Sequence, residues 1–194
     1  LINLIKRALL EKEYLLRGET IDDLDPDDLS AALWKMPESA WSKYLTLLYG
    51  RNFGSIPQGP LVTEQIYVHS KCMIVDDNVV IVGSANINDR SLMGDRDSEI
   101  AAMIMDPQCI QATLCGNKPA MVRKFARELR QSMWKKHLGL AGALPAGGPQ
   151  AATDLASIME APASPDTVAK IQALARSNSH AYEKAFPWVP RNVD

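Results

Sequence analysis

Apolar positions in the first seventeen residues, LINLIKRALLEKEYLLR, recur near helical spacing and predict a helix over 1–17 that Gly18 ends. The Asp-rich stretch 21–29 around Pro26 reads as an exposed acidic connection. A helical segment follows at 28–36. After Pro37 the apolar cluster of Ala40, Trp41, Tyr44, Leu45, Leu47 and Leu48 suits another helix. A strand over 44–49 fits equally, because a short apolar run does not declare its period. Gly50, Gly54, Pro57, Gly59 and Pro60 punctuate 50–60 as a loop. Residues 66–75 and 79–82 are β-rich runs joined by Asp76-Asp77-Asn78, which predicts a hairpin buried on both faces. One more strand is expected over 99–105, stopping before Pro107. The clearest helix spans 119–137, with Pro119 at its start and Val122, Phe125, Ala126, Leu129, Met133 and Trp134 on one face. A Gly-, Ala- and Pro-rich stretch then separates it from a last helix over 166–186. Strands flanked by helices make the fold class α/β, with a layered α-β-α core. The expected division is a lobe over 1–140, a flexible linker over 141–165, and a C-terminal helix over 166–194 packing back on the lobe.

The 194 residues are 46% hydrophobic and 23% charged, ordinary for a chain with a core. Twenty-one basic against 23 acidic side chains, a formal charge of −2, argue against a dedicated nucleic-acid binder. Cys72, Cys109 and Cys115 are few and odd in number and read as reduced intracellular thiols, Cys72 as a small buried hydrophobe. No run is long and apolar enough to span a bilayer, and the apolar start is broken by Lys6, Arg7 and Glu11, unlike a signal peptide. The chain begins at Leu1 inside a helical pattern, and the expectation is that it is cut from something longer. Basic residues on the 119–137 helix (Arg123, Lys124, Arg127, Arg130, Lys135 and Lys136) suit either a solvated face or one lying near anionic lipid. Met73, Met93, Met103 and Met105 are expected to fill core gaps, and Asp89-Arg90-Ser91 to form a buried hydrogen-bonded turn.

Chemistry concentrates in YVHSKCMIVDDNVVIVGSANINDRSLMGDRDSE, residues 67–99. His69-x-Lys71-x4-Asp76 is followed, after six residues, by Gly83-Ser84-x-Asn86. On one strand His69 and Lys71 project to the same side. An imidazole, with an ordinary pKa of about 6.5, can attack phosphorus when neutral or protonate a leaving alkoxide when charged. Lys71 offers a fixed positive charge to non-bridging phosphate oxygens, Ser84 a hydroxyl and Asn86 an amide. Glu99 is the candidate carboxylate to fix the His69 tautomer, and Asp76 is expected to hold the loop and Lys71. A histidine on a strand is ordinarily structural and a Gly-Ser pair an ordinary turn. The conjunction at these spacings is what points to an anion site.

HxKxxxxDxxxxxxGSxN resembles the HKD motif of the phospholipase D superfamily. The longer match, IYVHSK followed by GSANINDRSLMGDRDSE, is similar to the second HKD motif of eukaryotic phosphatidylcholine-hydrolysing members. LYGRNFG at 48–54, LRQSMWKKHLGL at 129–140 and ALARSNSHAYEKAF at 173–186 resemble segments flanking that motif. The resemblance implies a layered α-β-α lobe with a mixed sheet, two of which pack so that two HKD motifs meet. It further implies a phosphohistidine intermediate, release of phosphatidic acid or transfer to a primary alcohol, and no cofactor or metal. His69 would be the general acid, since the first motif's His is usually the nucleophile. The implied partners are phospholipid at a membrane surface and an N-terminal HKD lobe or a second copy of the chain, not nucleic acid. The implied location is intracellular, peripheral on the cytoplasmic face of membranes. One HKD motif is present here, and His137 and His180 lack a lysine two residues on, so the chain supplies half a site. A homodimeric phosphodiesterase or nuclease and a non-catalytic binding lobe are the competing readings.

Overall fold

The computed structural model describes residues 1–115, 119–139 and 156–189, which fall into two compact units, Leu1–Leu47 and Leu48–Asp194. In the first unit, helix α1 (Ile2–Leu16) ends as its sequence predicts: Gly18 takes φ +76°, and the Gly18 and Glu19 amides donate to the Leu15 and Tyr14 carbonyls. Asp25 caps α2 (Pro26–Lys35) by accepting from the Asp27 amide, with Pro26 in the first turn where no donor is lost. A short α3 (Glu38–Trp41) continues into a 3-10 turn, Ser42–Tyr44, and residues 45–49 belong to no helix or strand, so the single long helix or strand expected there does not form. Ile21 is the most buried side chain of this unit. Removing a side chain of that kind from water is worth roughly 1.5–3 kcal/mol.

The second unit opens with β1 (Gly50–Ser55) and β2 (Leu61–Ile66), an antiparallel pair in register Gly50↔Ile66 to Ser55↔Leu61. Residues 50–60 read as loop from their glycines and prolines. Strand β1 exists because β2 supplies the ladder, with the turn confined to Ile56–Pro60. Next come β3 (Lys71–Val75), β4 (Val79–Gly83), the short helix α4 (Asp89–Leu92) and β5 (Ala101–Ile104). The three strands form one antiparallel sheet in the order β3-β4-β5. A third pair joins β6 (Cys109–Thr113) to β7 (Pro119–Arg123). The predicted helix over 119–137 therefore begins later, as α5 (Lys124–His137), and Pro119 opens a strand, a position where proline costs no ladder bond. A helical turn α6 (156–160) and α7 (Pro165–Ala185) complete the described elements.

The helices and strands make an α/β protein with a C-terminal helix, as expected. Within it the described strands pair in three antiparallel sheets and not in one mixed sheet. Links of a few residues, such as 56–60 and 76–78, permit hairpins, whereas parallel pairing needs a long crossover. Leu138, Ile158, Met159 and Ile171 bury one another beside Trp134 and Leu174, joining α5, α6 and α7. Tyr182 meets Phe53 edge to face and donates to the Arg51 carbonyl, tying α7 to β1. Two packing expectations are corrected. Val80 is fully buried, but Met73 and Met103, which flank Ile81 on the other face of the sheet, are open, so the hairpin is not buried on both faces. Met93 and Met105 are exposed too, and none of the four fills a core gap; Cys72 is half-buried. The expected linker over 141–165 lies largely outside the described residues.

Candidate active site

Register alone assembles the site. Lys71 opens β3 opposite Gly83, which closes β4, and Gly83 lies opposite Ala101, which opens β5. The first residue of β3, the Gly-Ser at the end of β4 and Glu99 just before β5 thus converge at one end of the three-stranded sheet. Gly83 is required by this closeness. A Cβ there would meet the Ala101 Cα at 2.8 Å and Cβ at 2.9 Å, and the Ile100 carbonyl more closely still.

Ser84 is held on both sides. Its amide donates to the Ile100 carbonyl at 2.9 Å, and its Oγ accepts from the Ile100 amide at 3.0 Å. The hydroxyl proton goes to Glu99 in a short hydrogen bond. That bond, a second from Ser91, and the charges of Lys71 and Arg90 hold the Glu99 carboxyl below its ordinary pKa of 4.5, against a smaller desolvation effect. Glu99 is therefore an anion at neutral pH, held by the hydroxyls of Ser84 and Ser91. A carboxylate has further acceptor sites, and the expectation that it fixes the tautomer of His69 stands as a proposal. The His69 ring stacks on Tyr67, centroids 6.0 Å apart at 25°.

His69 does not lie on a strand. Residues 67–70 have no ladder partner, and the run predicted as one strand over 66–75 is divided between the end of β2 and β3. An extended apolar pattern does not reveal whether a neighbouring strand exists to pair with it. His69 and Lys71 nevertheless stay together, since the Lys71 Nζ donates to the His69 carbonyl at 2.7 Å. His69, Ser84 and Asn86 are exposed, and Lys71 and Glu99 half-buried, so a ligand has access. Asn88 caps α4 through the Ser91 amide at 3.0 Å, and Arg90 pairs with Asp97 at 2.6 Å. The expected Asp89-Arg90-Ser91 turn is thus hydrogen-bonded, but on the surface.

Asp76 sits at the other end of the hairpin, where Asp76 and Asp77 both take φ +50° and the Asn78 amide closes the turn on the Val75 carbonyl. Five residues of strand, about 16 Å at ~3.3 Å each, separate it from Lys71, so it cannot hold that amine. The buried member of the pair is Asp77, whose carboxylate receives Arg130 at 2.7 and 2.8 Å and Arg127 at 3.4 Å. Arg127 and Arg130 are accordingly buried and belong to no solvated or lipid-facing surface of α5. Sequence reasoning missed this cluster. The signal was there in the spacing: Arg130 falls four residues after Ala126 and four before Trp134, on the apolar stripe.

Among the described residues no group of three or more His, Cys, Asp and Glu gathers to hold a metal ion, and no helix is long and apolar enough to cross a membrane. A cleft of about 520 Å³ between Ile104, Asp106, Lys124, Phe125 and Glu128 lies toward the turn end of the sheet, away from His69 and Lys71.

The family described as Phospholipase D matches residues 62–190. Over 152 residues the chain is 40% identical to phospholipase D zeta 1 of Arabidopsis thaliana, covering 77% of this chain and 13% of that protein. It is 41% identical over 149 residues to phospholipase D of Phytophthora infestans, covering 77% and 8%. With phospholipase D1 of Mus musculus it shares 46% identity over 99 residues, covering 51% and 9%. The chain spans a small fraction of the length of these curated relatives.

Proposed function

Because the chain belongs to the phospholipase D family, we propose that it is one lobe of a phosphodiesterase that hydrolyses phosphatidylcholine to phosphatidic acid and choline, or transfers the phosphatidyl group to a primary alcohol. The observation that carries the reading is the convergence of Lys71, Ser84 and Glu99, with His69 beside them, at one open end of the β3-β4-β5 sheet. Lys71 neutralises the non-bridging oxygens, and Ser84 and Asn86 add donors to them. His69 gives a proton to the departing choline oxygen, then takes a new one from the incoming water or alcohol. The covalent phosphohistidine forms on the histidine of a second HKD motif, from another lobe of the same protein or a second copy of this chain. Apolar side chains left open around the site, among them Tyr67, Ile87, Ile100 and Met103, support a further lobe covering that surface. All three cysteines are unpaired thiols, which supports work inside the cell, at the cytoplasmic face of a membrane.

The test uses the intact protein containing this chain, supplied with phosphatidylcholine vesicles and a primary alcohol. Choline and phosphatidyl alcohol are expected products, and His69→Ala abolishes both. Undiminished product from His69→Ala removes the assignment.

A further inference from the structure

The strands that carry the site do not specify their own register. Lys71–Val75 continues as Cys-Met-Ile-Val and Val79–Gly83 begins Val-Val-Ile-Val, apolar at every position. No alternation penalises a one-residue slip, which would carry Lys71 about 3.3 Å along and turn it to the opposite face. The pin is the Asp76-Asp77-Asn78 turn, which the Asn78 amide closes on the Val75 carbonyl and which must itself be held in place.

We propose that Asp77, clasped by Arg130 and Arg127, is the positioning residue that sets the β3–β4 register and so keeps Lys71 opposite Gly83 and beside Ser84. This rests on the reading of the site given above. The turn is held at every level. The Asp77 carbonyl accepts from the Arg123 amide at 2.9 Å, and the Asn78 amide group donates to the Met121 carbonyl at 3.3 Å. The Arg130 fork grips both carboxylate oxygens, a geometry that admits one orientation. Arg130 is itself fixed, lying 4.8 Å over the Trp134 ring and donating to the Met159 carbonyl, while Arg127 reaches Glu160 at 2.5 Å. Arg130 Nη1 is buried without an acceptor among the described residues, so the cluster is not built for maximal stability. Buried ion pairs often add little stability over apolar replacements, and their best-attested use is to select one register.

Arg130→Lys and Asp77→Asn in the intact protein test this, each assayed at a temperature where circular dichroism shows it folded, with His69→Ala alongside. The expected result for Arg130→Lys is kcat down by about 10²-fold, the scale of a small misplacement at a reacting centre, with KM within about twofold. Amide exchange accelerates in 71–75 and 79–83 while α7 stays protected. Methylguanidinium added to Arg130→Ala restores part of kcat. Folded Arg130→Lys with wild-type kcat and an unchanged exchange pattern overturns the proposal. So does a loss that follows the unfolded fraction alone, which marks a merely structural role. If Asp77→Asn does not fold, Arg130→Lys decides. Turnover surviving in His69→Ala condemns the phosphodiesterase reading instead. A dead His69→Ala beside a fully active Arg130→Lys condemns only the positioning role.

Discussion

Replacing Gly83 by alanine puts a methyl group between β4 and β5 where no space exists. The new carbon would stand 2.8 and 2.9 Å from Ala101 carbons, against about 3.5–4.0 Å for carbons in contact. The obstacles are the backbone and Cβ of a paired strand, not the movable end of a long side chain. The strands must part by ~0.7 Å or more at the end where Ser84 is tied to Ile100. Overpacking of this kind costs about 1–3 kcal/mol, and weakening the Ser84 ladder bonds adds ~1 kcal/mol. The smaller conformational freedom of unfolded alanine returns roughly 0.4–1 kcal/mol. A net loss of about 1–3 kcal/mol follows, and each kcal/mol lowers Tm by roughly 2–4 °C in a domain of this size. Ser84 and Glu99 move with the strands, so choline release by the folded intact protein should fall by about 10²-fold. Thermal unfolding and choline release are the assays. Gly54→Ala is the control, since nothing lies within 4 Å of a Cβ there, and it should alter neither quantity appreciably. A Gly83→Ala protein as stable and as active as wild type would refute the reasoning.

Other outcomes follow from the same geometry. The folded pKa of Glu99 lies below its unfolded value near 4.5, so its stabilising effect is complete above that pH and lost as pH falls through the folded value. The Tm gap between wild type and Glu99→Gln should therefore be flat above about pH 5.5 and narrow on acidification below 4.5. A gap unchanged at about pH 3 contradicts that. Asp76 and Asp77 should differ sharply. Asp76→Asn keeps a residue suited to φ +50° at an exposed site, and stability should change by less than about 0.5 kcal/mol. Asp77→Asn removes the charge between two buried guanidiniums, a loss on the scale of ~3–5 kcal/mol, read by denaturant unfolding. Equal effects would sink the distinction. Asp25→Ala should cost about 1 kcal/mol of helix stability in the Leu1–Leu47 unit, seen as earlier loss of helical ellipticity.

Elements built from local information were readable in the chain. Residues 2–16 and 165–185 carry helical periodicity, with Gly18 just past the first and Pro187 just past the second, and 76–78 carries turn residues between two apolar runs. Features that depend on distant partners were not. Gly50–Ser55 looks like loop until β2 pairs with it, and Pro119–Arg123 looks like a helix start until β6 does. His69 falls off the strand because nothing pairs with 67–70. The spacing picked out Lys71, Ser84 and Glu99, which the sheet brings to one end, but the bond between Glu99 and Ser84 was not legible in it. The Glu99 carboxylate turns to Ser84 because β5 is bound beside Gly83, a pairing formed across seventeen intervening residues. Between two adjacent aspartates, the choice of Asp77 as the buried one is made by arginines some fifty residues away.

The most direct measurement is orthovanadate binding to the intact protein and to its Lys71→Ala variant, by isothermal calorimetry. A phosphate site at the open end of the β3-β4-β5 sheet predicts that vanadate binds wild type and that Lys71→Ala weakens it by tenfold or more, about 1.4 kcal/mol. Equal affinity in the two proteins would mean that the ammonium at position 71 faces no bound anion.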